Sequence, residues 1–314
     1  HAPFVDSHFE SLDESHWKLV GQACNHWHLG SAELIEPFKP LPNWLFDDLM
    51  VCFSAPKGGV GPHIDQYDVF IIQGSGKRHW RVGDKDVGQY KESIQAGALR
   101  QIEGFDAIID EILEPGDILY IPPGFPHEGD TLEPSMSYSI GYRSPKEQEL
   151  LSNFADYVLA HDMGDVHLHN PNMKPQASYG EILSSDTDLL ADMLKNALSS
   201  DADIKQFLGA MLSQSRHQLD VIEPEELLTP SEVCEHLDAS GTLRKVSGVL
   251  ALYHQHDAGA TYINGETFQV SEKWLLDALC NHECIDIHSF TNVTDEQAVS
   301  LLTELVNKGY WYLD

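Results

Sequence analysis

Positive charge is what this sequence has least of: 19 Lys and Arg stand against 50 Asp and Glu, a formal net charge of −31. So acidic a surface repels nucleic-acid phosphates and anionic membranes, and attracts a basic protein partner instead. Cysteine is scarce too. The five thiols, Cys24, Cys52, Cys234, Cys280 and Cys284, are odd in number and scattered, which excludes a disulfide framework and fits reduced thiols. No apolar run approaches the length that crosses a bilayer and no signal peptide is visible, so a cytoplasmic protein without membrane contact is expected. What the chain does have is 314 residues of 42% hydrophobic content, enough for two or three cored units.

Residues 1–144 carry short β-branched and aromatic runs cut by Gly and Pro: Gly58-Gly59-Val60-Gly61-Pro62, Gly74-Ser75-Gly76, Pro115-Gly116 and Pro122-Pro123-Gly124. Many short strands with such turns imply a jelly roll, the double-sheet form of cupins. Gly88–Gly104, polar and poorly patterned, is expected to be a loop over the barrel. From Pro145 the periodicity becomes helical, through Glu149–Leu159, Asp186–Ala197 and Asp203–Ser215, with a His-, Asn- and Pro-rich loop at His161–Ser178. Apolar stripes without chemistry over 145–220 imply contacts between copies of the chain. Residues 221–314 look like a small α+β module of winged-helix type. In it Ser231 and Ser271 are expected to cap helices, strands fall at Val249–Tyr253 and Thr261–Ile263, Asp295–Asn307 is a third helix, and Tyr310-Trp311-Tyr312 is a final strand. That module holds 16 Asp and Glu against 4 Lys and Arg, so duplex binding is not expected of it.

The chemistry concentrates in His63-Ile64-Asp65 and in His127, which closes Pro115-Gly116-Asp117-Ile118-Leu119-Tyr120-Ile121-Pro122-Pro123-Gly124-Phe125-Pro126-His127. Two imidazoles and one carboxylate make the facial triad of non-haem Fe(II) oxygenases, which leaves coordination positions open. Residues two apart on a strand share a face, so His63 and Asp65 can hold one metal from one side at the head of a strand running on to Ile72, with Tyr67 on the same face. Gly74-Ser75-Gly76 then turns the chain as a hairpin into Lys77–Val82, where alternation puts Arg78, Trp80 and Val82 on one face. The Trp and Val mark that face as interior, and a buried Arg there needs a carboxylate partner.

These segments resemble the bacterial JmjC-type ribosomal oxygenases of the cupin superfamily, which hydroxylate an arginine of large-subunit ribosomal protein L-16. The likeness is densest in Val60–Gly74 and Glu114–Gly129. It continues through Phe154–Leu159, Ser213–His217 and Asn307–Trp311, so it covers nearly the whole chain. It implies a mainly β fold with α: a double-stranded β-helix over 1–144, a helical dimerisation domain over 145–220 and a winged-helix-like domain over 221–314. It also implies that further residues of the barrel precede His1. By the same likeness His63, Asp65 and His127 are catalytic and bind Fe(II), 2-oxoglutarate is the co-substrate, and Arg78 holds its distal carboxylate. Ser137 and Ser139, on the strand after His127, can donate hydrogen bonds to that co-substrate. Asp48 and Met50, which share a face of an earlier strand, join Tyr67 as the substrate pocket. A carboxylate and flat or apolar walls suit an arginine side chain. The partners implied are a basic ribosomal protein, L-16, and a second copy of the chain.

Rival readings are weaker on the residues. His79 is an alternative third ligand but falls on the outward face. His161, His167 and His169 lie in a loop; Cys280, His282, Cys284 and His288 come from one segment, with Cys280, Cys284 and His288 at helical spacing; and His26 and His28 lack a nearby carboxylate. The functional alternatives are histidine hydroxylation of a ribosomal protein, lysine demethylation, and a non-catalytic cupin that binds ribosomal components.

Overall fold

The computed structural model describes residues 5–93, 100–171, 178, 180–198, 200–257, 259–286 and 296–313. It separates into two compact units, one made of His1–Ser144 with Arg216–Ile222 and Val246–Gly248, the other of Pro145–Ser215, Glu223–Lys245 and Val249–Asp314. Among the described residues, no helix is long and apolar enough to cross a membrane.

The first unit is a jelly roll. Two short helices, α1 (Asp6–Glu10) and α2 (Leu29–Glu33), accompany ten strands: β1 (Lys18–Gly21), β2 (Phe46–Ser54), β3 (His63–Ile64), β4 (Asp68–Ser75), β5 (Arg78–Gly83), β6 (Arg100–Gln101), β7 (Ala107–Leu113), β8 (Ile118–Ile121), β9 (Pro126–Thr131) and β10 (Ser135–Tyr142). They form two antiparallel sheets, β1-β2-β10-β4-β8 and β6-β3-β9-β5-β7. Val69, Ile71, Leu119 and Ile121 of the first sheet pack against Trp80 and Val82 of the second, which makes the barrel core. The opposite face of the first sheet is also covered: Leu49, Ile140, Tyr142, Phe70 and Ile72 pack under Cys24, Leu34, Ile35, Phe38 and Leu45. Burial on both faces is why β4 is a continuous apolar run rather than an alternating one.

Three expectations change here. His63 to Ile72 is not one strand, because β3 pairs in one sheet and β4 in the other. Nor is Gly74-Ser75-Gly76 a hairpin turn: β4 pairs with β8 and β10, while β5 pairs with β7 and β9, so the turn carries the chain between sheets. A jelly roll uses such crossings to close, and local alternation cannot distinguish them from hairpins. The segment from Gly88 to Gly104, expected to be a loop, supplies β6 against β3, while its residues 94–99 lie outside those described.

The second unit begins with helices α3 (Glu147–Ala160), α4 (Ser184–Ala197) and α5 (Asp201–Ser213). Phe154 of α3 meets Phe207 of α5 edge to face. The winged-helix part follows: α6 (Pro230–Ser240), β11 (Thr242–Lys245), β12 (Ala251–Leu252), β13 (Ala260–Ile263), β14 (Glu266–Gln269), α7 (Lys273–Asn281), β15 (Cys284–Asp286), α8 (Glu296–Asn307) and β16 (Trp311–Leu313), with sheets β15-β11-β16 and β12-β13-β14. Its caps differ from those expected. Thr229, not Ser231, caps α6, accepting from the Glu232 N–H while Glu232 accepts from the Thr229 N–H, and Glu272 rather than Ser271 sits at the N-cap of α7. Helix α7 stops at Asn281, so Cys280 and Cys284 do not share a helix; His288 lies outside the described residues.

The crossing between β4 and β5 depends on Gly76, whose φ is +64° and whose added Cβ would lie 2.3 Å from the Pro134 carbonyl oxygen. Gly76→Ala is therefore expected to cost about 2 kcal/mol or more, read as a lower urea midpoint with an unchanged slope.

Candidate metal and co-substrate site

Antiparallel register builds the centre. His63 of β3 stands directly opposite His127 of β9, and His127 stands opposite Val82 of β5. The two imidazole centroids are 4.2 Å apart. Asp65, just beyond the end of β3, brings its Oδ2 to 3.8 Å from His63 Nε2 and 3.6 Å from His127 Nε2. One ligand atom from each residue falls within 4.8 Å of the other two, the convergence a single ion requires. Both rings are oriented by backbone: His63 Nδ1 is 2.9 Å from the Gly61 carbonyl oxygen, and His127 Nδ1 is 3.0 Å from that of Phe125. An Nδ1–H donated to each carbonyl leaves both Nε2 lone pairs facing the gap. Burial, then the neighbouring His63, lowers the pKa of His127 to about 4 against the pull of Asp65, so its ring is neutral, as a ligand must be. The donor set and its orientation fit a divalent first-row ion.

A second feature lies along β5. Arg78, only 2% exposed, points inward with Trp80 and Val82, as alternation requires. It has no carboxylate partner among the described residues. Its Nη2 donates to the Gly129 carbonyl oxygen at 2.7 Å and its Nη1 to Ser137 Oγ at 3.2 Å, while Nε is buried without a partner. Burial lowers the Arg78 pKa, the signature of a cation taken from water without full compensation. The guanidinium carbon sits 4.8 Å from the Trp80 ring, and that ring is 6.2 Å from His127, so one indole separates cation from triad. An anionic ligand bridging the two would satisfy both.

The third feature lines the first sheet. Ser137 is opposite Cys52, and Ser139 is opposite Met50. One more step along that face is Gly141, where an added Cβ would lie 3.8 Å from the Tyr67 ring and 3.9 Å from Asp48 Oδ1. Ser137, Ser139 and Gly141 thus run from the Arg78 end to an end walled by Tyr67 and Asp48. Arg78 bonds Ser137 and not Ser139. Tyr67 reaches this face from the crossing between β3 and β4, not by strand alternation; burial and the Asp65 charge push its phenol pKa up, so it stays a neutral hydroxyl. Asp48 is 4% exposed, accepts the Ala23 N–H at 2.9 Å, and has its pKa raised chiefly by burial.

The rivals fall elsewhere. His79 faces outward, 2.5 Å from Asp110. His26 packs against Gln218, with its Nδ1 2.9 Å from that carbonyl oxygen, and His28 closes the start of α2. Cys280 is buried beside Thr261. Sequence reasoning missed Gly129, Gly141 and His217. Gly129 is two residues past His127 on the same face, and that spacing is the signal available. Gly141 has none, and His217 is brought in from far along the chain.

Residues 33–150 match the JmjC domain and residues 188–312 the ROXA-like winged helix. The chain is 44% identical over 315 residues to ribosomal protein uL16 3-hydroxylase of Escherichia coli (strain K12), covering 100% of this chain and 83% of that one. The X-ray structure of E. coli ycfD superposes with a TM-score of 0.93 at 43% identity, over 100% of this chain and 83% of that one. The structure of YcfD, a ribosomal oxygenase from E. coli, in complex with cobalt and 2-oxoglutarate superposes with a TM-score of 0.89 at 43% identity, covering 99% and 82%.

Two glycines of the site separate packing from space. A Cβ at Gly129 would lie 2.8 Å from the Trp80 ring and 3.0 Å from Arg78 Nη2, whereas one at Gly141 meets nothing closer than 3.7 Å. Gly129→Ala is expected to lose about 1–3 kcal/mol of stability and Gly141→Ala to stay within about 0.5 kcal/mol, both by denaturant titration.

Proposed function

Because this chain belongs to the JmjC-type ribosomal oxygenases, we propose that it is a 2-oxoglutarate-dependent dioxygenase that hydroxylates an arginine side chain of ribosomal protein L-16. The observation that carries this reading is the buried Arg78, without a carboxylate partner among the described residues, one indole away from three converging metal-ligand atoms. His63, Asp65 and His127 hold Fe(II), and Arg78 pairs with the distal carboxylate of 2-oxoglutarate. Ser137 and Ser139 line the path between. Together, iron, 2-oxoglutarate and dioxygen supply a two-electron oxidation that puts one oxygen into an unactivated C–H bond and the other into succinate, with loss of carbon dioxide.

The residues of the chain position and insulate that chemistry. Trp80 spaces Arg78 from the triad, so a dicarboxylate of one length spans both. Its neighbours Val82, Val69 and Ile71 keep water from the inner wall. Asp48 takes the substrate guanidinium, whose methylenes lie between Tyr67 and Met50. A buried carboxylate is costly unless a cation completes it, and arginine stays charged throughout the physiological range. This favours arginine over a neutral histidine as the target. The net charge of −31 adds long-range attraction for a basic ribosomal protein, screened over about 10 Å at 0.1 M salt.

The three stretches then divide the work. Residues 1–144 carry the chemistry, 145–220 join two copies, and 221–314 form an acidic protein-contact module in a cytoplasmic enzyme. Exposed Leu151, Leu159, Leu190 and Leu194 on α3 and α4 support an isologous dimer. Sedimentation at micromolar concentration is expected to give a dimer; a monomer at all concentrations refutes this part.

Arg78→Ala is expected to raise the KM for 2-oxoglutarate by about tenfold or more while metal affinity holds, since a charge-assisted pair is lost away from the metal. Asp48→Ala should lower kcat/KM for an L-16 peptide bearing the target arginine by on the order of a hundredfold, with substrate-independent 2-oxoglutarate turnover retained. Mass spectrometry that finds the added oxygen on another residue type, or on the peptide with its arginine made neutral, overturns the assignment.

A further inference from the structure

The proposed mechanism assigns no part to His217, which stands beside Asp48. His217 lies in Arg216–Ile222, a segment that belongs to the first unit although it follows the three helices. Its Nε2 is 3.9 Å from Asp48 Oδ2 and 3.7 Å from Asp47 Oδ1. Arg216 also reaches Asp47, Nη1 to Oδ1 at 3.2 Å, and its Nη2 donates to the Arg143 carbonyl oxygen at 3.1 Å. The two carboxylates are therefore served unequally. Asp47 has a permanent cation in Arg216, whereas Asp48 has beside it an imidazole that can gain or lose its charge.

We propose that His217 is the resident counter-ion of Asp48, protonated over the empty pocket and competing there with the incoming guanidinium, so that it sets the pH range in which a cationic substrate binds. The inference rests on the reading of Asp48 as the substrate carboxylate. A buried carboxylate without a cation is unstable, so the substrate-free pocket needs a charge that the substrate can replace. A fixed Arg or Lys would compete at every pH; an imidazole yields as it deprotonates.

The surrounding groups agree in sign. The Asp47 carboxylate raises the His217 pKa above its usual value, opposed by burial and by Arg216 and helped by Asp48. Two further neighbours are neutral near pH 7: His26, whose pKa burial lowers, and the Tyr67 phenol, whose pKa burial raises. Asp47 stays ionised because His217 and Arg216 outweigh its burial, and the Cys24 thiol near Asp48 is pushed up and stays neutral. Below the His217 pKa the counter-ion is present and substrate must displace it. As pH rises through that pKa the competitor is lost, and the KM for the arginine peptide falls. Asp48, with its own raised pKa, adds a slope of the same sign at lower pH.

The test is KM and kcat for an arginine-bearing L-16 peptide across pH 6 to 8 in the iron-loaded enzyme, for the unaltered chain, His217→Gln and His217→Lys. The unaltered enzyme should show KM falling by up to about fivefold as pH rises, the size of a partly exposed ion pair. His217→Gln should give a flat, low KM across this range, and His217→Lys a flat, high one. In both, kcat and substrate-independent 2-oxoglutarate turnover should hold. A purely structural histidine would shift kcat or stability and leave the KM profile sloped. A His217→Gln profile parallel to that of the unaltered enzyme overturns the inference. Asp48→Asn separates this from failure of the underlying reading: if KM is indifferent to that change, Asp48 is not the substrate carboxylate; if KM rises while the His217→Gln profile stays sloped, only the counter-ion role falls.

Discussion

The pairing of His63 with His127 across β3 and β9 is the constraint on which the rest of the site depends. Strand β3 is two residues long, too short to hold itself in place by its ladder alone. It is secured on one side by β6 and on the other by β9, and its Nδ1–carbonyl contact ties the ring to the turn at Gly61. A slip of one residue would turn His63 out of the barrel and bring Ile64 in. The same slip would carry Asp65 away from both rings. The short strand is thus stabilised by its neighbours, and β9 in turn takes its register from β5, which presents Arg78, Trp80 and Val82 opposite Thr131, Gly129 and His127. One register sets the triad, the indole spacer and the cation together.

That arrangement carries an electrostatic cost, and the chain concentrates it at two points. Arg78 is sunk at one end of the chamber with two hydrogen bonds and an aromatic face, less than a guanidinium obtains in water. Asp48 is sunk near the other end with one backbone N–H and a nearby imidazole. Pairing the two would have been the more stable solution. Instead Ser137, Ser139 and Gly141 line the first sheet between them, so neither charge is neutralised by the other. Charges held apart and incompletely satisfied are the kind that cluster at functional sites, and they are what the proposed roles of Arg78 and Asp48 rest on. Stability is forgone to keep the two charges apart.

Much of this was legible from strand alternation. Arg78, Trp80 and Val82 face inward as their spacing requires, whereas the register of β2 against β10 shifts at Asp47 and Asp48, where simple alternation does not hold. Among the described residues no protein carboxylate stands beside the buried Arg78, so the carboxylate that a buried Arg needs is left to a ligand. What alternation could not reveal is which sheet a strand joins. Gly74-Ser75-Gly76 has the composition of a hairpin, yet the chain crosses sheets there, and Tyr67 faces the chamber from a crossing rather than from a strand. Pairing partners lie far apart in sequence, and no local pattern encodes them. Helix caps failed for a smaller reason: Thr229 and Ser231 are both capping residues, and only the Glu232 side chain three positions after Thr229 decides between them.

His217 shows the same limit in its strongest form. It is more than 160 residues from Asp47 and Asp48 in sequence, as the Arg216–Asp47 contact with its separation of 169 illustrates. Three helices that belong to the other compact unit intervene before the chain returns to the barrel. A chain that leaves a barrel, builds helices and comes back at the rim of the pocket links the integrity of the inserted helices to the pocket's charge. Loss of the helical stretch would remove Arg216 and His217 from Asp47 and Asp48, and two adjacent carboxylates would lose these two cations. Like charges so placed resist ionisation, so Asp48 would be harder to keep charged without the returning segment.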